Sequence, residues 1–183
     1  VNAAEDYVKV ESKGEPYYLA AALCDTVLGE GEYTVLETYK GADLEGKEYE
    51  PLFDFVSPKE KCWYVVCDDY VTLTDGTGVV HIAPAFGEDD AKVGRKYGLQ
   101  LVDGKGQMTS ETKWPGVFCK DADKEILQDL DQRGLLFSAP TFEHSYPFCW
   151  RCDTPLIYYA RESWYIKMTD VKEQLIANNN TVK

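Results

Sequence analysis

Gly76-Thr77-Gly78-Val79-Val80-His81-Ile82-Ala83-Pro84-Ala85-Phe86-Gly87-Glu88-Asp89-Asp90 reads as a turn, a strand, a loop bounded by Pro and Gly, and the start of a helix. Side chains alternate along a strand, so Val79, His81 and Ala83 are expected on one face and Val80 and Ile82 on the other. His81 then has small apolar neighbours. Asp89 and Asp90 fall in the first turn of the following helix, where free N–H groups and the helix dipole favour the ionised carboxylate. Such a carboxylate beside an apolar wall suits an α-ammonium group next to a small aliphatic side chain. Gly76 and Gly78 serve first as a tight turn, because the third glycine of a dinucleotide fingerprint would fall at His81. Helix N-termini are acidic by preference and a lone strand histidine is more often structural than catalytic, so these residues alone point no further than to a cleft.

Working outward, residues 7–10, 33–39, 63–66, 71–73 and 79–82 are strand-like, rich in Val, Tyr and Thr, and residues 156–160 and 164–166 join them later. Helices are expected over 19–28, stopping at Gly29, and over 88–97, pairing Val93 with Tyr97 and ending at Gly98. Two more are expected over 121–133, with Ala122, Ile126 and Leu130 on one face and Gly134 as the stop, and over 171–177. The strands are not separated by regular helices, which argues against a doubly wound parallel sheet. The expected class is α+β, with a β-barrel-like core and flanking helices.

The 183 residues, 44% hydrophobic and 28% charged, make one globular domain, or one with a small appendage. Lys and Arg number 19 against 32 Asp and Glu, a net charge of −13, which is the wrong sign for bulk attraction to nucleic acid; DNA is not an expected partner and any RNA contact must be local. No stretch approaches the roughly 18 consecutive apolar residues of a membrane helix. Val1 is not Met, and residues 1–10 carry no signal-peptide pattern, so the chain reads as an excised piece of a cytoplasmic protein. Six cysteines without the dense spacing of a disulfide scaffold agree with a reducing compartment. Gly41 to Lys47 imitates a phosphate loop, but Glu48 stands where Mg²⁺ needs Ser or Thr, and Asp43 and Glu45 would repel phosphate. His81 and His144 are the only histidines and neither has an evident nucleophile near it in sequence, so hydrolysis here would use a positioned water.

Residues 76–90 resemble the signature of the editing domain (connective peptide 1) inserted in isoleucyl-tRNA synthetases. Valyl enzymes carry Lys where His81 stands and leucyl enzymes carry Met. Gly41-Ala42-Asp43-Leu44-Glu45-Gly46 with Tyr49-Glu50-Pro51-Leu52-Phe53, and His144-Ser145-Tyr146-Pro147-Phe148-Cys149-Trp150-Arg151-Cys152-Asp153-Thr154-Pro155, are similar to the same family. The resemblance implies a second sieve that hydrolyses valyl-tRNA(Ile), and valyl-adenylate as a further substrate, because a hydrophobic pocket separates one methylene by only about 1–3 kcal/mol. It implies that Asp90 holds the α-ammonium and His81 lines the side-chain pocket. Gly76, Thr77, Gly78, Ala83, Pro84, Phe86 and Asp89 are the substrate-binding candidates around that pair, with Tyr146 as an aromatic contact for tRNA. The implied partners are the valine-bearing 3′ end of tRNA(Ile) and the rest of the synthetase in cis. The family's Thr-rich pocket strand lies upstream of Val1, so the chain alone is expected to hydrolyse mischarged tRNA weakly. Lys167-Met168-Thr169-Asp170 is not the adenylation loop of these enzymes, and no ATP chemistry is expected here. Residues 1–143 are expected as the editing core and 144–183 as a Cys-x2-Cys knuckle and return segment toward the catalytic domain. The rival readings are a non-catalytic tRNA- or protein-binding module on this scaffold and a valyl-type domain that clears threonine.

Cys149 and Cys152 supply two thiolates, half of a tetrahedral zinc site. Cys62 and Cys67 could complete it, but their spacing in a strand-like run reads more naturally as core, and a redox pair lacks its βαβ context. The resemblance places the partner thiols earlier in the full synthetase, so zinc is expected there and no cofactor in this chain. Most of the 13 tyrosines and of Trp63, Trp114, Trp150 and Trp164 are expected to be packing residues.

Overall fold

Tyr7, Val8 and Val10 alternate too little for a one-sided strand, and both faces of β1 (Asp6–Ser12) are indeed covered. The computed structural model describes residues 1–58, 61–93, 100–141, 143–160 and 163–182. In it β1 is the centre of a three-stranded antiparallel sheet, order β2–β1–β3, with β2 at Glu15–Ala20 and β3 at Thr34–Lys40. Lys13 and Gly14 join β1 to β2 with positive φ at both residues, the two-residue turn whose twist matches a hairpin. Tyr7 packs on one face with Val1, Ala20, Leu23 and Leu44, while Val8 and Val10 pack on the other with Leu19 and Cys24. The chain leaves β2 through a 3-10 turn (Ala21–Leu23) and α1 (Cys24–Leu28), then enters α2 (Gly41–Leu44) directly from β3. Gly41 has no alternative, because a Cβ there would lie 1.9 Å from the Asn2 carbonyl oxygen. The phosphate-loop imitation is therefore a packing device.

The later helices are α3 (Glu88–Val93) and α4 (Asp123–Gln132), and a second packed group lies at the C-terminal end of α4. Phe53 and Phe55 stack at 5.0 Å, and Trp114 meets both rings edge-on at 5.8 and 6.0 Å. Arg133, just past α4, places its guanidinium 5.1 Å over Phe53 and donates to the Leu52 carbonyl at 2.6 Å. Tyr17 of β2 touches Phe137 at 5.3 Å, tying this group to the sheet.

Several expectations are corrected. Residues 19–28 are not one helix, since Leu19 and Ala20 pair with Val8 and Tyr7 and only the remainder turns helical. The β-barrel-like core is not formed among the described residues: the sheet is open, and runs 63–66, 71–73, 79–82, 156–160 and 164–166 are not strands. Trp63 at φ 56° interrupts the first of these runs, leaving one bridge between Glu48 and Tyr64, and Gly78 at φ 71° bends the chain away before Val79. The α+β class stands. Residues 94–99, which include Tyr97 and Gly98, lie outside the described residues. Trp114 is core as expected, but Trp150 and Trp164 are exposed, and α5 (Met168–Asn179) buries no residue. Among the described residues no helix is long and apolar enough to cross a membrane.

Gly76 and Gly78 offer a direct test of this packing. Both have positive φ, but a Cβ on Gly76 meets open space, whereas one on Gly78 would sit 2.6 Å from the Ala20 Cβ. Gly76→Ala should cost about 1–2 kcal/mol for the left-handed backbone alone. Gly78→Ala should cost at least about 1 kcal/mol more, from overpacking. Chemical denaturation of the two variants measures the difference, and equal costs would contradict the close approach.

Candidate functional site

The loop that carries the site begins at the sheet. The Tyr7 hydroxyl, buried beside β2, donates to the Gly78 carbonyl at 2.8 Å and accepts the Asn2 N–H at 2.9 Å. The Ala20 N–H donates to the Thr77 carbonyl at 2.9 Å. The Val79 N–H donates back to the Thr77 hydroxyl oxygen at 3.3 Å. Gly76, Thr77 and Gly78 thus form the anchored turn read from sequence, and the chain beyond them starts from a fixed point.

From that point Val79, Val80 and His81 run exposed, and Ala83 to Phe86 close a turn through the Phe86 N–H to Ala83 carbonyl bond at 2.8 Å. Pro84 lies inside this turn, where its fixed φ and missing N–H are harmless. Asp90, the third residue of α3, reaches back, and its Oδ2 accepts the Ala83 N–H at 3.0 Å. Gly87 makes room: a Cβ there would lie 2.6 Å from the same oxygen. The carboxylate is therefore half-buried and oriented by a backbone donor, and no ion pair among the described residues neutralises it.

Asp89 goes elsewhere. It is exposed and pairs with Lys92 at 2.8 Å, an i,i+3 surface bridge of small energetic weight. The structure therefore separates two acids that sequence treated alike. It brings Asp90 onto the run that holds His81 and Ala83, although no bond joins the His81 ring to Asp90 among the described residues.

Phe86 and Tyr146, sixty residues apart in the chain, line one cavity of about 240 Å³ together with Lys120 and Ile157. The Ala160 N–H donates to the Ala85 carbonyl at 2.9 Å, and Phe86 meets Tyr159 edge-on at 6.1 Å, so residues 156–160 brace the loop. Tyr146 is held at two points: its hydroxyl donates to the Leu156 carbonyl, and the Lys120 ammonium lies 4.8 Å from its ring centre. Its role visible here is packing between the loop and the cysteine knuckle.

In that knuckle the Cys149 N–H donates to the Thr154 carbonyl at 2.9 Å and the Asp153 N–H to the Cys149 carbonyl at 2.8 Å, with Asp153 at φ 54°. The Cys152 Sγ lies 3.1 Å from the Thr154 hydroxyl. Hydrogen bonds from Thr154 and from the Cys149 thiol hold the Cys152 thiol below the ordinary range. Two thiols at this spacing fit half of a zinc site, but among the described residues no group of three or more His, Cys, Asp or Glu could hold a metal. Burial instead pushes the Cys24 and Cys67 thiols up, and the Cys67 Sγ lies 3.5 Å from the Gly41 carbonyl, in keeping with a packing role. The group that sequence reasoning missed is Tyr7: its strand position was legible, but a hydroxyl bridging Asn2 and Gly78 is a contact across 71 residues.

No family model matches the chain. It is 52% identical over its full length to the isoleucine–tRNA ligase of Clostridium novyi, 40% identical over its full length to that of Picrophilus torridus, and 44% identical over 97% of its length to that of Methanothermobacter thermautotrophicus. The resemblance read from residues 76–90 thus extends to the entire chain. The chain spans 18% of the length of each of these curated relatives.

The cysteine environments set an order of reactivity. A lowered pKa leaves more thiolate at neutral pH, so the exposed Cys152 should be alkylated by iodoacetamide first and the buried Cys24 last. Peptide mass spectrometry over a time course at pH 7 reads the order, and early labelling of Cys24 would overturn it.

Proposed function

We propose, from the premise that isoleucine–tRNA ligases match this chain end to end, that it is the editing module of such a ligase and hydrolyses valyl-tRNA(Ile). The observation that carries this reading is the half-buried Asp90 carboxylate, one oxygen of which is held by the Ala83 N–H. An α-ammonium group bonds to that carboxylate and so fixes the amino-acid end of the ester. His81 lines the place taken by the aliphatic side chain, and its bulk admits valine while opposing isoleucine. A water positioned by backbone groups and the terminal ribose hydroxyl adds to the ester carbonyl. The tetrahedral intermediate collapses with loss of the ribose oxygen, which takes a proton, to give valine and free tRNA. Valyl-adenylate presents the same ammonium and side chain, and is the second substrate. A valyl-type domain clearing threonine is the reading disfavoured by His81 in place of Lys.

The net charge of −13 opposes tRNA phosphates, so the remainder of the ligase delivers the 3′ end, in the cytoplasm. Residues 1–143 form the editing core in this proposal, and residues 144–183 the knuckle and return segment. Full exposure of Trp164 and the absence of any buried residue on α5 support a segment that packs on the rest of the ligase. Cys149 and Cys152 would supply two ligands to a structural zinc in the longer enzyme.

Asp90→Ala in a full-length ligase carrying this segment tests the reading. Loss of a charged hydrogen bond is worth about 1.5–3 kcal/mol, so hydrolysis of valyl-tRNA(Ile) should fall about 10- to 150-fold while isoleucine charging persists. A non-catalytic binding module would leave both unchanged.

A further inference from the structure

Lys9 of β1 stands opposite Tyr18 of β2 and Glu37 of β3, and Tyr7, two residues before it on the same face, stands opposite Ala20 and Tyr39. The Tyr7 half of this face is buried; the Lys9 half is open, with Tyr18 50% exposed. The Tyr18 and Tyr39 rings lie 6.1 Å apart at 33°, the Lys9 ammonium is 5.9 Å from the centre of the first, and the Lys47 ammonium is 4.3 Å from the centre of the second. Glu37 lies within this group and is answered on two sides, by the Lys9 ammonium at 3.3 Å and by the Tyr39 hydroxyl. Lys47 makes no ion pair among the described residues, so these side chains together carry a positive charge on a chain of net −13. Open aromatic rings beside ammonium groups on a sheet are what single-stranded nucleic acid stacks on. The same residues lead to the site. The Ala20 N–H, two residues from Tyr18, donates to the Thr77 carbonyl, and the hydroxyl of Tyr7, opposite Tyr39, donates to the Gly78 carbonyl. The face therefore runs into the turn from which the loop to Asp90 departs, and Val79, Val80 and His81 beyond that turn are exposed.

We propose that Tyr18, Tyr39, Lys9 and Lys47 form a stacking platform for the single-stranded 3′ end of tRNA, where the nucleotides just before the ester-bearing one lie while the ester reaches Asp90. A base rests on the open side of Tyr18, and the backbone phosphate beside it meets Lys47. Stacking acts only at contact, so the platform adds no long-range attraction and takes over once the rest of the ligase has delivered the strand. It also selects a single strand, because paired bases offer no free face to a ring. This inference rests on the reading of the Asp90 loop as the hydrolytic site.

Tyr18→Ala removes the ring from an exposed position. In the full-length ligase the variant should raise the KM for valyl-tRNA(Ile) hydrolysis about 5- to 150-fold, the scale of one lost base–aromatic stack, and Tyr18→Phe, which keeps the ring, should restore it. Lys47→Gln should reduce the slope of log KM against log salt by about 0.7, the share of one phosphate contact on a single strand. These effects should vanish on valyl-adenosine, which has no preceding nucleotides. An unchanged KM in Tyr18→Ala, an equal loss in Tyr18→Phe, or a parallel loss on valyl-adenosine would each overturn the proposal. A tRNA(Ile) carrying a photoreactive base in its single-stranded 3′ end tests the contact without hydrolysis: it should cross-link to the peptides that carry Tyr18 or Tyr39, and no cross-link to either refutes the platform. Parallel measurement of Asp90→Ala separates the two failures. If that variant keeps its hydrolysis, the site reading itself is wrong; if it loses hydrolysis and Tyr18→Ala does not respond, only the platform falls.

Discussion

A phenol hydroxyl buried under a sheet must both give and receive a hydrogen bond or impose a penalty of about 1–3 kcal/mol, and the arrangement of this chain follows from how Tyr7 meets that demand. It receives from Asn2 and gives to Gly78, so the first residues, the central strand and the turn at 76–78 are fixed relative to one another. The Asn2 carbonyl in turn sits where a Cβ on Gly41 would be, and its side-chain amide holds Val71. Four segments distant in sequence are thereby set around one side chain and its neighbour. The loop from Gly78 to Asp90 inherits its starting position from the buried sheet core, which is what a site built on a loop requires.

Legibility in the sequence tracked the range of the interactions. β1, β3 and α4 were readable because their patterns are local: Val and Tyr runs for the strands, and Ala122, Ile126 and Leu130 at helical spacing before Gly134. The helix expected over 19–28 failed where Leu19 and Ala20 met β1, a tertiary pairing that outranks their helix propensity. The barrel failed for a related reason: runs such as 63–66 and 79–82 have strand composition but meet Trp63 or Gly78 at positive φ, and composition carries no trace of φ at a tryptophan. At the site, Asp90 and His81 were legible as residue types. What singles out Asp90 from Asp89 was not, since it is a bond to Ala83 and a missing Cβ at Gly87, both of which exist only once the chain has turned.

Charge sharpens the division of labour in the proposed reading. A surface of net −13 repels a polyanion at every ionic strength low enough for the field to reach, while the same field draws in an ammonium group. The local arrangement follows this sign, since Asp89 and Asp90 stand together at the start of α3, with Lys92 paired to Asp89. In that reading, recognition of the amine belongs to this chain, whereas attraction of the nucleic acid falls to the rest of the ligase.

Two features of residues 144–182 are incomplete in the same way. The knuckle presents two thiols where a tetrahedral metal needs four ligands, and the following helix presents Met168, Val171, Leu175 and Ile176 to solvent with Trp164 and Tyr165 before it. An apolar helix face in water and a half-formed ligand set each carry an unmet demand, and neither is answered by the sheet or by α4. A contiguous apolar surface of this kind marks an interface. Because both demands sit on one stretch, a single body of protein can meet them together. In the proposed ligase that body is the remainder of the polypeptide: it would cover the arm and bring the missing thiols, while the arm's residues 156–160 brace from one side the loop that the Tyr7-anchored turn holds from the other.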